Sequence, residues 1–275
     1  MKIQLYLFSV FAIIVMAWSV SPLWAQDKTE PASVWQDWDV TLGAGASYKA
    51  VSPGVDEYKT SAIPYLDITY QDRYFLNVQK GLGAYVYKGD ASEDSLFGEI
   101  GVGAALGYDQ GRDASDFEET PNLQGLGDLD GSLEGKAFLE AEVGVFDVSV
   151  DFAQALTSDG HEGWYSNVGL SFDKMVGKKL YFSVGQSLRF SSEDFQQAYY
   201  GVDAAQSRAT GLQQYSPGSG LESTSFEVVG RYFLTENWSL LAKAEHRYLL
   251  GDAADSPFVE EKSQIQGLFA LAYQF

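Results

Sequence analysis

The chain has 275 residues, no cysteine and a formal net charge of −20 at pH 7. This charge excludes nucleic acid as a partner, because phosphate binding requires a basic surface, and the lack of cysteine excludes a fold held by disulfides. Aromatic residues make up 15% of the chain although its mean hydropathy is slightly polar at −0.15. Such a combination is typical of a membrane β-barrel, which has aromatic girdles outside and polar side chains inside.

The first 25 residues have the features of a secretory signal peptide. Lys2 is the only charge before Asp27, an apolar run extends from Leu5 to Val20, and Ala25 supplies a small residue at the cleavage site. A retained transmembrane helix is the alternative, but the apolar run is short for one. We therefore expect residues 1–25 to be removed on export. Residues 26–36 are polar and predict a short periplasmic tail, and residues 37–275 predict the barrel.

Apolar and polar residues alternate along the rest of the chain with the period of two that is typical of β-strands. In the first predicted strand, for example, Trp38 and Val40 alternate with Asp39 and Thr41. The pattern predicts strands at residues 37–48, 62–70, 73–79, 84–88, 95–108, 132–144, 146–156, 164–174, 179–191, 223–234, 237–249 and 263–275.

The predicted fold is an all-β, transmembrane, antiparallel up-and-down barrel of twelve strands. With this number the tight links 71–72, 145 and 235–236 lie at the periplasmic end, and the long links 109–131 and 192–222 lie outside the cell, as in outer-membrane barrels. Strands 73–79 and 84–88 show the weakest alternation. Ten strands is the alternative, if this region is a loop.

Ionisable residues occupy the predicted inward face of the strands, with acids on the early strands and bases on the late ones. Walls of opposite charge would create a field across a pore. The alternative is a lattice of ion pairs that plugs a narrow barrel, because buried charges need partners. The candidate lumen charges are Glu99, Glu134, Glu140, Glu142, Asp147, Asp151, Asp173, Arg189, Glu227, Arg231, Lys243, Glu245 and Arg247.

Candidates for catalysis and for metal binding are few. His246 lies on the predicted lipid face beside Tyr248. His161 lies in the loop 158–163, where we expect a solvated side chain with no strand-borne Ser or Asp directed at it. Hydrolases of this size generally use a histidine base, so we predict no catalytic site. The acid-rich segments 109–119 and 127–130 lack calcium-loop spacing, and no glycine motif precedes a helix. We therefore predict no metal and no cofactor.

The longest predicted loop, 192–222, contains a helical pattern. Its aromatic residues follow Ser192 at helical spacing, and Ser192 with the acids after it has the character of a helix N-terminus. We predict a short helix near 193–200 that folds over or into the mouth and narrows it. The candidate mouth residues are Phe195, Tyr199, Tyr200 and Tyr215.

The last strand predicts the location of the protein. Large apolar side chains fill one face of residues 265–275, and Tyr273 and Phe275 would lie at the level of lipid headgroups. A carboxyl-terminal Phe is the usual signal of bacterial outer-membrane barrels. We therefore expect contacts with outer-membrane lipid and lipopolysaccharide, and recognition of Tyr273 and Phe275 by the barrel-assembly machinery.

Five ordered segments resemble the MltA-interacting protein family, also called MipA/OmpV. They are residues 64–77, 106–113, 123–129, 192–202 with 209–212, and 250–257. The resemblance implies an outer-membrane barrel without established catalytic residues. For the protein after which the family is named, the resemblance implies a scaffold that joins a lytic transglycosylase to a peptidoglycan synthase. Other members are linked to osmotic or antibiotic response and to adhesion.

Together, the strand pattern and the resemblance predict a non-enzymatic outer-membrane barrel. Its expected role is that of a scaffold for peptidoglycan-remodelling enzymes or in envelope stress response. A narrow pore for small solutes or antibiotics is the alternative, and the sequence does not decide whether the lumen conducts or is plugged.

Overall fold

A computed structural model describes residues 37–91 and 95–275, so the predicted signal peptide and periplasmic tail lie outside the described residues. Twelve antiparallel strands form a closed barrel in which each strand pairs with its sequence neighbours and the last pairs with the first. The strands are β1 (Trp38–Ala50), β2 (Tyr58–Tyr70), β3 (Tyr74–Asn77), β4 (Gly81–Asp90), β5 (Phe97–Asp109), β6 (Ser132–Val143), β7 (Phe146–Ala155), β8 (Trp164–Val176), β9 (Leu180–Ser191), β10 (Gly220–Phe233), β11 (Trp238–Leu249) and β12 (Ser263–Gln274). The twelve-strand prediction is confirmed and the ten-strand alternative is wrong.

β2 begins four residues before its predicted start. The segment Lys59–Ser61 is polar and breaks the alternation, yet Lys59 pairs with Lys49 at the far end of β1. Hydrogen bonding to a well-formed neighbour therefore overrides the side-chain pattern, as strand propensity depends strongly on context.

β3 is only four residues long and pairs with β2 over Asp67–Tyr70 alone. On this side of β2 the last link is Val78 N–H, which donates to the Leu66 carbonyl at 3.3 Å. Because alternate residues of a strand direct their backbone groups to the same side, Pro64 presents its nitrogen to this edge. A proline is tolerated in a strand where its nitrogen has no ladder bond to make.

Aromatic residues form a girdle at each end of the barrel. At the end with the tight turns, the ring centroids of Trp38 and Tyr70 are 4.7 Å apart, and those of Trp238 and Tyr273 are 5.0 Å apart. At the opposite end, the rings of Tyr48 and Tyr58 stack at 4.9 Å. Leu, Val, Ile and Phe side chains between the girdles are exposed, which is the outer surface expected of a barrel in lipid.

Inward-facing glycines make room for aromatic rings within the barrel. A Cβ atom at Gly103 would lie 2.3 Å from Cζ of Phe138, and one at Gly83 would lie 2.5 Å from Cζ of Phe75. The glycines of β4 and β5 therefore allow large side chains of other strands to fill the lumen at this level.

The loops at the end opposite the tight turns carry additional structure, and we call them the cap. The cap comprises residues 51–57, 110–131, 156–163, 192–219 and 250–262. It contains two 3₁₀ turns, at Ala114–Asp116 and Pro121–Leu126, and the helices α1 (Glu193–Tyr200), α2 (Ala204–Thr210) and α3 (Gly251–Ala254). Within the part of the chain that the structure describes, no helix is long and apolar enough to cross a bilayer.

The carboxyl-terminal residue seals the junction between the first and last strands. The Phe275 N–H donates to the Val40 carbonyl at 3.0 Å, and its ring lies 4.9 Å from that of Tyr273. We expect Phe275→Ser to lower the amount of heat-modifiable folded barrel in the outer-membrane fraction, because it removes an interfacial ring and the residue that the sequence predicts as an assembly signal. Phe226→Ser, which removes an exposed ring from the middle of β10, is the control. Equal folded amounts of the two variants would contradict this prediction.

Candidate functional site: the capped mouth of the barrel

The cap has an apolar core of its own above the lumen. Four of its five loops contribute side chains that are almost fully buried, so these loops pack on one another. The core residues are Val55, Phe117, Leu123, Leu126, Phe195, Tyr199, Tyr200, Val202, Leu249, Ala253, Ala254 and Phe258. Because burial of apolar surface stabilises a fold by about 25 cal/mol per Å², such a cap is a folded layer over the mouth.

Helix α1 forms where the sequence predicts it. The Ser192 hydroxyl accepts from the Phe195 N–H at 3.3 Å and Glu193 and Asp194 occupy the first turn, which complements the positive end of the helix. The helix is short, but its buried face carries Phe195, Tyr199 and Tyr200 into the core of the cap. The predicted helix at 193–200 is therefore confirmed.

Tyr200 fastens the cap to the barrel. It is fully buried, its hydroxyl donates to Oε1 of Glu222 at 2.9 Å, and its carbonyl accepts from the Ser256 hydroxyl at 2.7 Å. Burial and the adjacent Glu222 carboxylate raise the pKa of Tyr200 well above its ordinary value of 10. The hydroxyl therefore stays protonated and remains a donor at any physiological pH.

Two further tyrosines link the loops. The Tyr199 hydroxyl donates to Oδ1 of Asp109 at the end of β5, and burial together with this carboxylate raises the pKa of Tyr199 above its ordinary value. Tyr215 is partly buried, and its hydroxyl donates to the Asp252 carbonyl at 2.8 Å. Three of the four candidate mouth residues thus lie in the core of the cap, and Tyr215 ties its outer loops together.

The expectation of a solvated His161 is wrong. Its side chain is fully buried, its Nε2 lies 3.1 Å from Oε1 of Glu134 on β6, and its ring centroid is 4.8 Å from that of Phe195. A strand-borne acid is therefore directed at it. The physical reason is that the aromatic face of α1, more than thirty residues along the chain, closes over the loop, which no local pattern reveals.

Glu134 and His161 adjoin Asp109, and one donor atom from each of the three lies within 4.8 Å of the others. Such a set is a plausible cation ligand set in chemical terms. The Glu134 carboxylate, however, already accepts from Tyr165 at 3.1 Å and lies 3.2 Å from the Lys136 ammonium. The charge is satisfied by protein donors, so we assign this cluster a role in holding the cap.

His246 lies on the exposed outer face, as expected. Its Nε2 is 2.7 Å from the Ser263 hydroxyl. Within residues 37–91 and 95–275, no carboxylate contacts its other ring nitrogen, so the third member of a hydrolytic triad is missing from this pair.

Most of the candidate lumen charges form local ion pairs. Lysines lie beside the acids of the early strands, and β10 and β11 carry both acids and bases. The lumen therefore does not have one acidic wall that faces one basic wall. The pairs are Lys88 with Glu99, Lys80 with Glu140, Lys136 with Glu134, Lys243 with Glu227 and Glu245, and Arg247 with Glu245.

Arg189 is held at the centre of a polar bridge. Its Nε donates to Oδ1 of Asn167 at 2.9 Å, and the Asn167 amide donates to Asp151 at 2.6 Å. The guanidinium also lies over the Tyr165 ring, 4.4 Å from its centroid, a cation–π arrangement that suits arginine. Sequence reasoning missed Tyr165 and Asn167, although both lie at inward positions of the β8 alternation.

The remaining candidate charges lie nearer the end with the tight turns. Glu142 accepts from the Glu99 N–H at 3.3 Å, and Nε of Arg231 donates to the Ser239 hydroxyl at 3.0 Å. Asp147 on β7 pairs with Ser171 on β8, so Asp147 and Asp173 are diagonal neighbours.

An aromatic cluster fills part of the lumen near the β3–β4 turn. Phe75, Tyr85 and Phe138 pack with centroids 5.3–5.7 Å apart. The Lys80 ammonium lies 4.6 Å from the Phe138 centroid and 2.5 Å from Oε1 of Glu140. This cluster, which sequence reasoning missed, occludes the lumen on the side of the short β3.

Three cavities lie inside the barrel, with volumes of about 320, 490 and 180 Å³. Arg189 lines all three, and Arg247 lines the first two. The interior therefore contains a series of polar chambers that meet at Arg189.

A model of the family described as MltA-interacting protein MipA matches residues 42–275. Over 241 residues the chain is 27% identical to YiaT of Escherichia coli (strain K12), described as an outer membrane protein, and the match covers 86% of this chain and 91% of that protein. YiaT of Escherichia coli O157:H7 matches with the same values. Among solved structures, the COG4313 outer membrane channel from Pseudomonas putida F1 is 13% identical with a TM-score of 0.37, covering 86% of this chain and 94% of that one. The chain belongs to the MipA family and is an outer-membrane protein.

Glu57 provides a test of how the cap is held. Its Oε1 accepts from the N–H groups of Glu118 and Glu119 at 2.8 and 3.0 Å, and its Oε2 accepts from the Thr120 hydroxyl at 3.0 Å. Burial opposes ionisation of Glu57, but these hydrogen bonds outweigh it and hold the pKa below the ordinary 4.5. The contact therefore stabilises the cap above pH 4.5, and the stabilisation is lost as the pH falls through the lowered pKa.

We expect Glu57→Gln to increase proteolysis of the 110–131 loop at pH 7 by roughly tenfold, since a charged acceptor of three hydrogen bonds is lost. The exposed neighbour change Glu119→Gln is the control and should leave the rate unchanged. Between pH 7 and pH 3 the wild-type rate should rise more steeply than that of Glu57→Gln. Parallel pH profiles for the two proteins would show that Glu57 does not hold this loop.

Proposed function

We propose that this member of the MipA family spans the outer membrane as a non-enzymatic barrel with a closed mouth, and that it acts as a scaffold for peptidoglycan-remodelling enzymes. The observation that carries the proposal is the cap, whose loops share one apolar core over the lumen. An open channel has no use for a folded layer across its mouth. The family description, MltA-interacting protein MipA, supports a partner among lytic transglycosylases.

The interior supports a closed barrel as well. Lumen acids and bases are paired locally, and the cluster of Phe75, Tyr85 and Phe138 occupies space through which solutes would pass. Paired charges and packed rings favour one fixed arrangement of the interior. A barrel of this size lies between small filled barrels and wide porins, and these features favour the filled type.

The β8–β9 turn is the most distinctive surface at the end away from the cap. Met175 and Val176 are 45% and 53% exposed, and Lys174, Lys178 and Lys179 surround them. The chain has 18 basic residues against 38 acidic ones, so three lysines within six positions form an uncommon basic site. An apolar centre with a charged rim is typical of a protein interface, and an acidic partner surface would fit it.

The scaffold is tested by capture from envelope extract after mild cross-linking, with the full-length barrel as bait. We expect a lytic transglycosylase or a peptidoglycan synthase to be recovered. The double change Lys178→Glu, Lys179→Glu should reduce recovery by roughly tenfold or more, because it reverses the charge of the interface. Arg208→Glu, an exposed charge reversal on α2 of the cap, is the matched control. Recovery of neither enzyme class by the wild-type protein would refute the scaffold.

A narrow gated pore is the second candidate, and one observation favours it. All three polar cavities meet at Arg189, and two of them also meet at Arg247, so movement of the cap and of these side chains would join them. Arginine at such a constriction is a familiar means of selecting solutes by charge.

Planar-bilayer conductance separates the two candidates. The scaffold predicts that the wild-type barrel is silent and that deletion of residues 195–215, which removes most of α1 and all of α2, raises conductance while the barrel stays heat-modifiable. Steady wild-type openings would support the pore instead, provided that their ion preference changes in Arg231→Glu or Lys243→Glu. Unchanged conductance in a folded deletion variant would show that the cap is not the closure.

A further inference from the structure

The cavity directly beneath the cap, of about 320 Å³, is lined by charged side chains of both signs that keep unused hydrogen-bonding atoms, and we call it the mouth cavity. Its wall combines loops of the cap with the cap-side ends of the strands. Among the side chains that line it are those of Glu222, Arg189 and Arg247. Neither the scaffold nor the pore accounts for this combination.

Glu222 is a buried carboxylate with one free oxygen. Its side chain is about 2% exposed, and Oε1 accepts from the Tyr200 hydroxyl at 2.9 Å. In residues 37–91 and 95–275, no donor reaches Oε2, and no lysine, arginine or histidine nitrogen lies within 4.0 Å of the carboxylate. A buried carboxylate oxygen is costly when no donor hydrogen-bonds to it.

The two arginines retain donors that face the same space. Nη2 of Arg247 lies 3.2 Å from Glu245, but its buried Nε has no acceptor among the described residues. Nε of Arg189 donates to Asn167. Among the described residues, no hydrogen bond engages its terminal nitrogens Nη1 and Nη2. Ser52 also lines the cavity, and its buried hydroxyl has no hydrogen-bond partner among the described residues.

We propose that the mouth cavity binds a small zwitterion, an amino acid or a dipeptide, with its ammonium at Glu222 and its carboxylate at the two arginines. A ligand of single charge would satisfy the free atoms of one side and leave those of the other without a hydrogen-bond partner. A neutral hydroxylated ligand would supply hydrogen bonds but no charge. A zwitterion supplies both charges at once, and charge-assisted hydrogen bonds are the stronger kind.

Two other charges line the cavity and do not alter this assignment. Asp109 already accepts from the Tyr199 hydroxyl and from the Gly111 N–H. Lys49 is exposed, so water satisfies its ammonium. The volume of about 320 Å³ is at the small end of ligand sites, which suits an amino acid or a dipeptide and excludes longer peptides.

Apolar residues provide a place for the ligand's side chain. Val51, Pro53 and Phe195 line the cavity on the side of the cap. The ligand would therefore touch both the barrel, through its charges, and the core of the cap, through its side chain.

Calorimetry on the folded full-length barrel in detergent tests the site, with L-alanyl-L-alanine as the zwitterion and propionate and ethylamine as its single-charge counterparts. We expect the dipeptide to bind at least about tenfold more tightly than either counterpart. Glu222→Gln, which keeps an acceptor for Tyr200, should weaken dipeptide binding at least about tenfold and leave propionate binding equal or stronger. Arg247→Gln should weaken both dipeptide and propionate.

The matched control is Glu193→Gln, which removes an exposed carboxylate from the cap loop that precedes β10 and should leave every affinity unchanged. Heat-modifiability shows that each variant is folded. If Glu222→Gln or Arg247→Gln does not fold, the relative affinities of the three ligands for the wild-type protein still test the proposal. No preference for the zwitterion, or equal dipeptide binding by wild type and folded Glu222→Gln, would overturn the proposal. Neither result depends on the capture of enzymes from envelope extract, so the scaffold proposal is tested independently of the ligand proposal.

Discussion

The hydrogen bond from Tyr200 to Glu222 joins the two parts of this molecule. The ring of Tyr200 lies in the apolar core of the cap, while Glu222 stands on β10 at the wall of the lumen. Because both groups are buried, loss of either partner would leave a polar atom without water or protein to satisfy it. This contact therefore contributes to the packing of the loops, the closure of the mouth and the shape of the mouth cavity.

Strands are predictable from this sequence because the lipid imposes the pattern. An outer surface that must be apolar and an inner one that can be polar force a period of two along every strand, and the predicted strand ends differ from the observed ends by one or two residues at most positions. The departures have local causes. β2 extends through a polar segment because β1 pairs with it, and β3 is short because its hairpin ends at Asn77.

The interior is less predictable because its contacts join residues far apart in the chain. Lys80 and Glu140 are separated by 60 positions, and Tyr199 and Asp109 by 90. Alternation identifies Glu140 as an inward residue but cannot name its partner, and it leaves Asp109 in the predicted loop 109–131. The prediction of helix α1 succeeds because its signals are local, whereas the burial of His161 depends on where that helix packs. Glu222 escaped notice because it lies at the junction of a loop and a strand, where alternation is weakest.

The position of Glu222 also connects a ligand to the state of the cap. Its carboxylate holds Tyr200 with one oxygen and faces the mouth cavity with the other. An ammonium at the free oxygen would give Glu222 a second charge-assisted hydrogen bond while its other oxygen still accepts from Tyr200. Occupancy would then stabilise the cap by linkage, since a ligand that binds only the closed form favours that form. In that case the cap is the element on which a small solute outside the cell would act, and the same barrel would present its other end to a partner in the periplasm.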